Sequence, residues 1–269
     1  MKKNKTFVLG VGAQKAGTSW LYWYIQKSSV SNMGPLKEYQ YWNMYFKPKS
    51  KKADFLKKDP KFLNSSELLK YQMLTIDGFY ENFFCSLIND GFTVTGDITP
   101  HYSKLYEEEL QTIKSRLEKV DFNVKVIFLL RDPFERIWSN IRMEKKLDQT
   151  FSKNMTENDL IRTFHNDPRW RFDSLYHTQI FRIDSIFDQK DIYYGIYEEM
   201  FSKEKIRELS EFIGIDYNPT LRDRVVNKST KTEEIDFSVK KEVCQTYQNT
   251  YRFCFERFPQ TKYLWNFYR

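Results

Sequence analysis

The sequence predicts an α/β fold with a mostly parallel sheet, and three observations lead there. Short apolar runs rich in β-formers alternate with segments of helical periodicity along the 269 residues, as repeated strand–helix units require. Val124–Leu130 (VKVIFLL) is nearly continuously apolar and β-branched, as expected of a parallel strand covered on both faces. Thr6–Gly10 runs into a small-residue loop, GAQKAGTS, and then into an apolar-periodic segment, the strand–loop–helix joint at which α/β sheets bind ligands.

The elements follow in order. Thr6–Gly10 is a strand. Gly17–Ser28 is a helix with Trp20, Leu21, Tyr24 and Ile25 on one face. Asn64-Ser-Ser-Glu67 has the form of a capping box and opens a helix through Leu68, Leu69 and Met73. Phe92–Gly96 is a short strand before Asp97, and Lys104–Lys119 is an amphipathic helix. The strand Val124–Leu130 ends at Arg131-Asp132-Pro133, with Pro133 in the first turn of the next helix. Asp191–Ile196 is a strand, Ser202–Ile213 a helix, and Ser238–Phe258 a long terminal helix. Residues 1–269 read as one domain with a Lys-rich insertion around 45–90; its lysines crowd 47-KPKSKKADFLKKDPK-61.

The net charge of +7 and a pI near 9.0 fit a polyanionic partner, and equally a solvated Lys-rich surface. Cys85, Cys244 and Cys254 are too few for a disulfide framework and lack metal-ligand spacing, so they read as reduced thiols. Met1–Lys5 is basic, but the apolar run after it breaks at Gly10 and Gly12 and no long apolar span follows. A cytoplasmic protein without a transmembrane segment is expected.

Two constellations carry chemistry. In the first, Gly12–Ser19, a strand–loop–helix joint gathers backbone N–H groups at a helix N-terminus, which favours an anion. Gly12 and Gly17 allow close approach, Thr18 and Ser19 offer hydroxyls, and Lys15 adds a movable charge. An ATP-type loop would carry its lysine where Thr18 stands. In the second, Arg131 ends a buried strand and Ser139 lies two turns into the following helix, a pairing suited to a further phosphate. A local Arg131–Asp132 ion pair is the plainer alternative. Two phosphate sites on one sheet suggest a nucleoside with phosphates at both ends.

With these motifs in place, the sequence resembles the PAPS-dependent sulfotransferases, whose donor is 3′-phosphoadenosine 5′-phosphosulfate (PAPS). Lys15-Ala16-Gly17-Thr18-Ser19 matches the family's K-x-G-T-[ST] loop, and Arg131 to Ser139 matches R-[DN]-P-x-x-R-x-x-S. Lys37-Glu38-Tyr39-Gln40-Tyr41-Trp42, Gly96–Tyr102 and Tyr197–Met200 resemble further elements of the bacterial and glycan-type branch. The resemblance implies a three-layer sandwich around about five strands. It assigns Gln14, Lys15, Ala16, Gly17, Thr18 and Ser19 to the 5′-phosphosulfate, Arg131 and Ser139 to the 3′-phosphate, and Tyr197 to the adenine. Asp97 stands where relatives carry Glu, and Ile98 where some glycan sulfotransferases carry an acceptor-site Lys, which argues against a heparan-like acceptor.

Sulfuryl transfer is in-line and rests on positioning and charge stabilisation. Lys15 is the catalytic cation expected near the bridging oxygen. Glu38, set among Tyr39, Tyr41 and Trp42, is the expected base, with His101 the alternative; either is also readable as a local pairing residue. No metal is expected. The acceptor is open among glycans, lipids and small molecules, and no nucleic-acid partner is expected. Asn227-Lys228-Ser229 reads as a closing loop or an ordinary turn, and His165 and His177 as surface or satisfied core residues. Two other functions fit parts of the pattern: a P-loop kinase-like phosphotransferase with a shifted lysine, and a non-catalytic polyanion-binding protein.

Overall fold

The computed structural model describes residues 5–46, 53–89, 91–147, 154–222, 231 and 233–265. The Asn227 loop, Met1–Asn4 and residues 47–52 of the lysine run lie outside the described residues.

The sheet has four parallel strands: β1 (Lys5–Gly12), β2 (Val94–Ile98), β3 (Phe122–Leu130) and β4 (Ile192–Ile196). Their order is β2-β1-β3-β4. The count is four among the described residues, not about five. On the outer edge of β2, Ser31 makes an isolated bridge to Val94, and Asn32 N–H donates to the Val94 carbonyl. That pairing goes no further. Gly34 turns the chain at φ 71°, and Pro35 has no N–H to continue a ladder.

Burial explains the two central strands. Phe7, Val8 and Leu9 of β1 have no exposed surface, and neither do Val126 through Leu130 of β3. Each such side chain removed from water stabilises the fold by roughly 1.5–3 kcal/mol. β3 begins with alternating burial and then becomes wholly buried, as a strand does when it passes from the rim to a sheet covered on both faces.

The helices start where their caps allow. Thr18–Gln26 begins at Gly17 in the left-handed region, and Asn64 closes its capping box with Glu67 before Ser65–Thr75. Ser202 caps Lys203–Ile213, which Gly214 ends at φ 85°. The helix expected from Lys104 starts at Glu107, because Pro100–Lys104 winds into a 3-10 turn and the Tyr106 N–H donates to the Glu109 carboxylate at the start of the helix. The long terminal helix is two helices, Phe237–Thr246 and Gln248–Arg257. Tyr247 stands between them with its backbone off the helical region, at φ −104° and ψ 18°; its ring is buried and its hydroxyl donates to the His165 carbonyl. The segment 45–90 is divided in character. Lys57, Lys58 and Lys61 are exposed, whereas the helix Phe79–Asn89 sends Tyr80, Phe84 and Ile88 into the core. No helix among the described residues is long and apolar enough to cross a membrane.

The strand order creates the site. From β1 the chain leaves towards β2, and from β3 it leaves towards β4 on the opposite side. The connections diverge between β1 and β3, which opens a crevice at the carboxyl ends of those strands.

Candidate functional site

All four strands end at this edge. Gly12 pairs with Phe128 near the end of β3, Ile98 of β2 pairs with Gly10, and Ile196 of β4 pairs with Leu130. The residues just beyond are therefore neighbours: Ala13–Ser19, Thr99–His101, Arg131 and Tyr197.

The loop after β1 has two left-handed positions in three residues, Lys15 at φ 69° and Gly17 at φ 95°. Alternating backbone of this kind turns successive N–H groups to one side and makes an anion-binding concavity. A non-glycine residue there costs about 1–3 kcal/mol, a strain found where the backbone serves a ligand. Thr18 is buried at the helix start; Gln14, Lys15 and Ser19 are half-buried.

Arg131 ties the loop to the rest of the site. Its Nη1 donates to the Lys15 carbonyl at 3.1 Å, its Nη2 to Glu135 at 3.2 Å, and its guanidinium lies 4.5 Å from the centre of the Tyr197 ring. Its Nε is buried without a hydrogen-bond partner. The Arg131–Asp132 ion pair is not formed. Asp132 instead accepts from Phe134 N–H at 2.8 Å and from the Tyr251 hydroxyl at 2.9 Å, capping the helix Pro133–Leu147. That helix presents Ser139, buried, two turns on. Tyr197 also faces Gly17: a Cβ on Gly17 would approach its ring and the Met200 sulfur to 3.1 Å.

The charge is lopsided. Burial, then the neighbouring Arg131, Arg142, Lys37 and Arg136, pull the Lys15 amine down to about 8. Arg136 is fully buried; its Nε donates to Ser174 Oγ at 2.6 Å, while Nη1 and Nη2 have no hydrogen-bond partner.

Glu38 stands on the other side, half-buried. Lys37 Nζ lies 2.6 Å from its Oε1, and Gln40 Nε2 donates to its Oε2 at 3.0 Å. The pairing with Lys37 is thus present, and Lys37 is also one of the charges felt by Lys15. His101 is half-buried on the Pro100–Lys104 turn. The other two histidines are satisfied structural groups: His165 bonds the Ile161 carbonyl and Thr246, and His177 bonds Thr250.

Sequence reasoning missed three supports. Asp97, noticed only as a substitution for Glu, is a fully buried hub for the segment that carries Glu38. Arg136 was visible in the second motif but drew no role. The C-terminal region, read only as a long helix, braces the Arg131 turn: Tyr251 bonds Asp132, Trp265 Nε1 donates to Glu198 at 2.9 Å, and Glu198 accepts from Asp132 N–H at 3.0 Å. Burial pushes Asp132 up to about 7, with the Glu198 carboxylate adding to it and the Tyr251 bond opposing it. Only the Tyr and Trp types at 251 and 265 could have signalled this, and their partners lie too far along the chain to read. A concavity of ≈ 510 Å³ lies elsewhere, lined by residues such as His177, Phe181 and Phe253, and it contains none of the expected site residues.

No curated protein matches the chain. Among solved structures, a sulfotransferase from Alicyclobacillus acidocaldarius is similar at 17% identity and a TM-score of 0.61, covering 95% of this chain and 96% of that one. The sulfotransferase domain of the Synechococcus PCC 7002 olefin synthase gives 12% identity and a TM-score of 0.48, over 92% of this chain and 96% of that one. A sulfotransferase domain from the curacin biosynthetic pathway gives 14% and 0.49, over 86% and 82%. The family model described as "Sulfotransferase domain" matches residues 5–251, and the chain belongs to that family.

Proposed function

We propose that this sulfotransferase moves a sulfuryl group from PAPS to a hydroxyl or amine of its acceptor. The observation that carries the reading is the Arg131 contact set. One guanidinium meets the Lys15 loop and the Tyr197 ring, and keeps a buried, unpartnered Nε. A phosphate loop, an arginine and an aromatic face aligned in one crevice suit a nucleotide with phosphates at both ends. The backbone N–H groups of 14–19, with Thr18 and Ser19, hold the 5′-phosphosulfate; Arg131 and Ser139 hold the 3′-phosphate; Tyr197 lies against the adenine.

In the reaction the bond from sulfur to the bridging phosphate oxygen breaks as the acceptor oxygen or nitrogen bonds to sulfur. Lys15 meets the charge that grows on the leaving phosphate. Glu38 takes the acceptor proton, its carboxylate oriented by Lys37 and Gln40.

Thermal stabilisation separates this reading from the alternatives: 3′,5′-ADP raises Tm, and ATP with magnesium does not. The reverse pattern supports the kinase-like function, and salt-sensitive polyanion binding without any nucleotide effect supports the non-catalytic one. Glu38→Gln abolishes turnover of radiolabelled PAPS with 3′,5′-ADP binding retained. A fully active variant removes Glu38 as base, and loss on His101→Ala then transfers the role. A labelled-sulfate screen over glycans, phenols, lipids and peptides identifies the acceptor.

A further inference from the structure

We infer that Asp97 is the positioning residue that sets Glu38 against the sulfuryl group; the inference rests on the proposed role of Glu38. Asp97 is fully buried at the end of β2 and collects four donors. The Tyr102 hydroxyl donates at 2.6 Å, Thr99 Oγ1 at 2.7 Å, the Tyr80 hydroxyl at 3.1 Å and Tyr39 N–H at 3.4 Å. Tyr102 and Thr99 come from the strand's own exit and Tyr80 from the helix Phe79–Asn89. Tyr39 N–H belongs to the peptide bond that follows Glu38.

The grip extends one residue further. Thr99 Oγ1, having given its proton to Asp97, accepts from Gln40 N–H at 3.3 Å. Asp97 and Thr99 thus hold two successive amides directly after Glu38. Gln40 takes φ 59° there, and its side-chain amide turns back to donate to Glu38 Oε2. The Tyr39 ring locks the register: it is fully buried, and its hydroxyl donates to the Met33 carbonyl at 2.9 Å. A Cβ on Gly34 would meet that hydroxyl at 2.1 Å. The parts form one chain of contacts, from the Asp97 carboxylate through the 39–40 backbone to the Glu38 carboxylate.

The arrangement explains a carboxylate buried at this strand end. A plain cap would need one acceptor. Four donors from three separate segments fix a loop that has no ladder of its own, and misplacement of a base by about 1 Å costs on the order of 100-fold in rate.

The test uses the full chain, radiolabelled PAPS with water as acceptor, and 3′,5′-ADP as the binding probe. Asp97→Asn keeps the volume and one carbonyl oxygen but cannot accept on both sides. Thr99→Val keeps the shape and loses both hydroxyl bonds. Each is expected to lower sulfate release by roughly 10- to 100-fold, to leave 3′,5′-ADP affinity unchanged, and to speed amide hydrogen exchange at Tyr39 and Gln40. Full turnover with unchanged exchange in both variants overturns the inference. So does a loss of turnover matched by loss of 3′,5′-ADP binding. If Glu38→Gln itself retains full turnover, the proposed base fails first, whatever Asp97 does.

Discussion

The two walls of the crevice follow opposite electrostatic plans. Along β1 and β3, Lys15, Arg131 and Arg136 crowd together, and three buried guanidinium nitrogens of Arg131 and Arg136 have no hydrogen-bond partner. At the end of β2, Asp97 is equally buried but accepts from four donors. An unpaired buried charge is expensive, whereas a fully bonded one is tolerable. Arg131 has the Glu135 carboxylate as one partner, yet the wall keeps unused donors that, in the proposed function, an anion from outside takes up; the acidic wall is complete as it stands. In the proposed function the first receives the nucleotide and the second holds a loop still.

The largest effect expected breaks the cationic wall. Arg131→Ala removes charged donors and the cation over Tyr197. Charged hydrogen bonds contribute about 1.5–3 kcal/mol each, so 3′,5′-ADP affinity is expected to fall by about 100-fold in calorimetric titration. Arg131→Lys recovers only a minor part, because an ammonium cannot reproduce the planar fork or the stacking. Unchanged affinity in Arg131→Ala would falsify the assignment of this wall to the donor.

A pH series measures the crowding itself. Lys15 titrates near 8 in the free protein because burial and its cationic neighbours disfavour the charged form. A bound polyanion favours that form and raises the value, so binding takes up a proton above pH 8. Affinity for 3′,5′-ADP is expected to be flat between about pH 7 and 8. Above that it declines, approaching tenfold per unit. Lys15→Met should bind more weakly and lose the slope. A slope that survives in Lys15→Met assigns the titration to another group.

How much of this was legible depended on sequence distance. The strand and loop of Thr6–Ser19 and the strand Val124–Leu130 with Arg131 to Ser139 were readable because periodicity, glycine placement and motif spacing are local. Four strand runs could be named from the residues; a fifth came only with the family resemblance, and Gly34-Pro35 shows why the chain beside β2 does not supply it. The acidic wall was legible only as the letters of Glu38 and Asp97. Their connection runs through the Tyr39 and Gln40 backbone amides, which leave no mark in residue type, and the Tyr80 and Tyr102 hydroxyls complete the Asp97 hub, though a buried tyrosine gives the same signal whether or not its hydroxyl has a task. The Tyr251 and Trp265 braces are over a hundred and over sixty residues from their partners, Asp132 and Glu198, so no local pattern records them.

A smaller effect separates loop shape from loop charge on the cationic wall. Gly17→Ala leaves every charge in place. The new Cβ would sit at φ 95° and press on Tyr197 and Met200. A loss of about 1–2 kcal/mol in urea unfolding is expected from the left-handed backbone alone. Weaker 3′,5′-ADP binding should accompany it, because Tyr197 must move. Lost stability with intact binding would show that the ring's position does not matter to the nucleotide.

The smallest effect belongs to the acidic wall and has its own pH signature. Tyr80→Phe removes one of the four donors to Asp97 and keeps the buried ring, so about 1 kcal/mol of stability is expected to go. Burial pushes Asp97 up to about 6, and the bonds from Tyr102, Thr99, Tyr80 and Tyr39 oppose that rise. Because the folded value lies above the unfolded one, this group's contribution weakens as pH rises from about 4 through 6. Without Tyr80 the folded value rises further. The stability gap between wild type and variant should then be small near pH 4, where Asp97 is protonated in both, widen through pH 6, and level off above it. The affinity for 3′,5′-ADP should not change at any pH. A gap of constant size would mean that the Tyr80 hydroxyl contributes packing alone, and a change in nucleotide affinity would mean that the two walls are coupled and not independent.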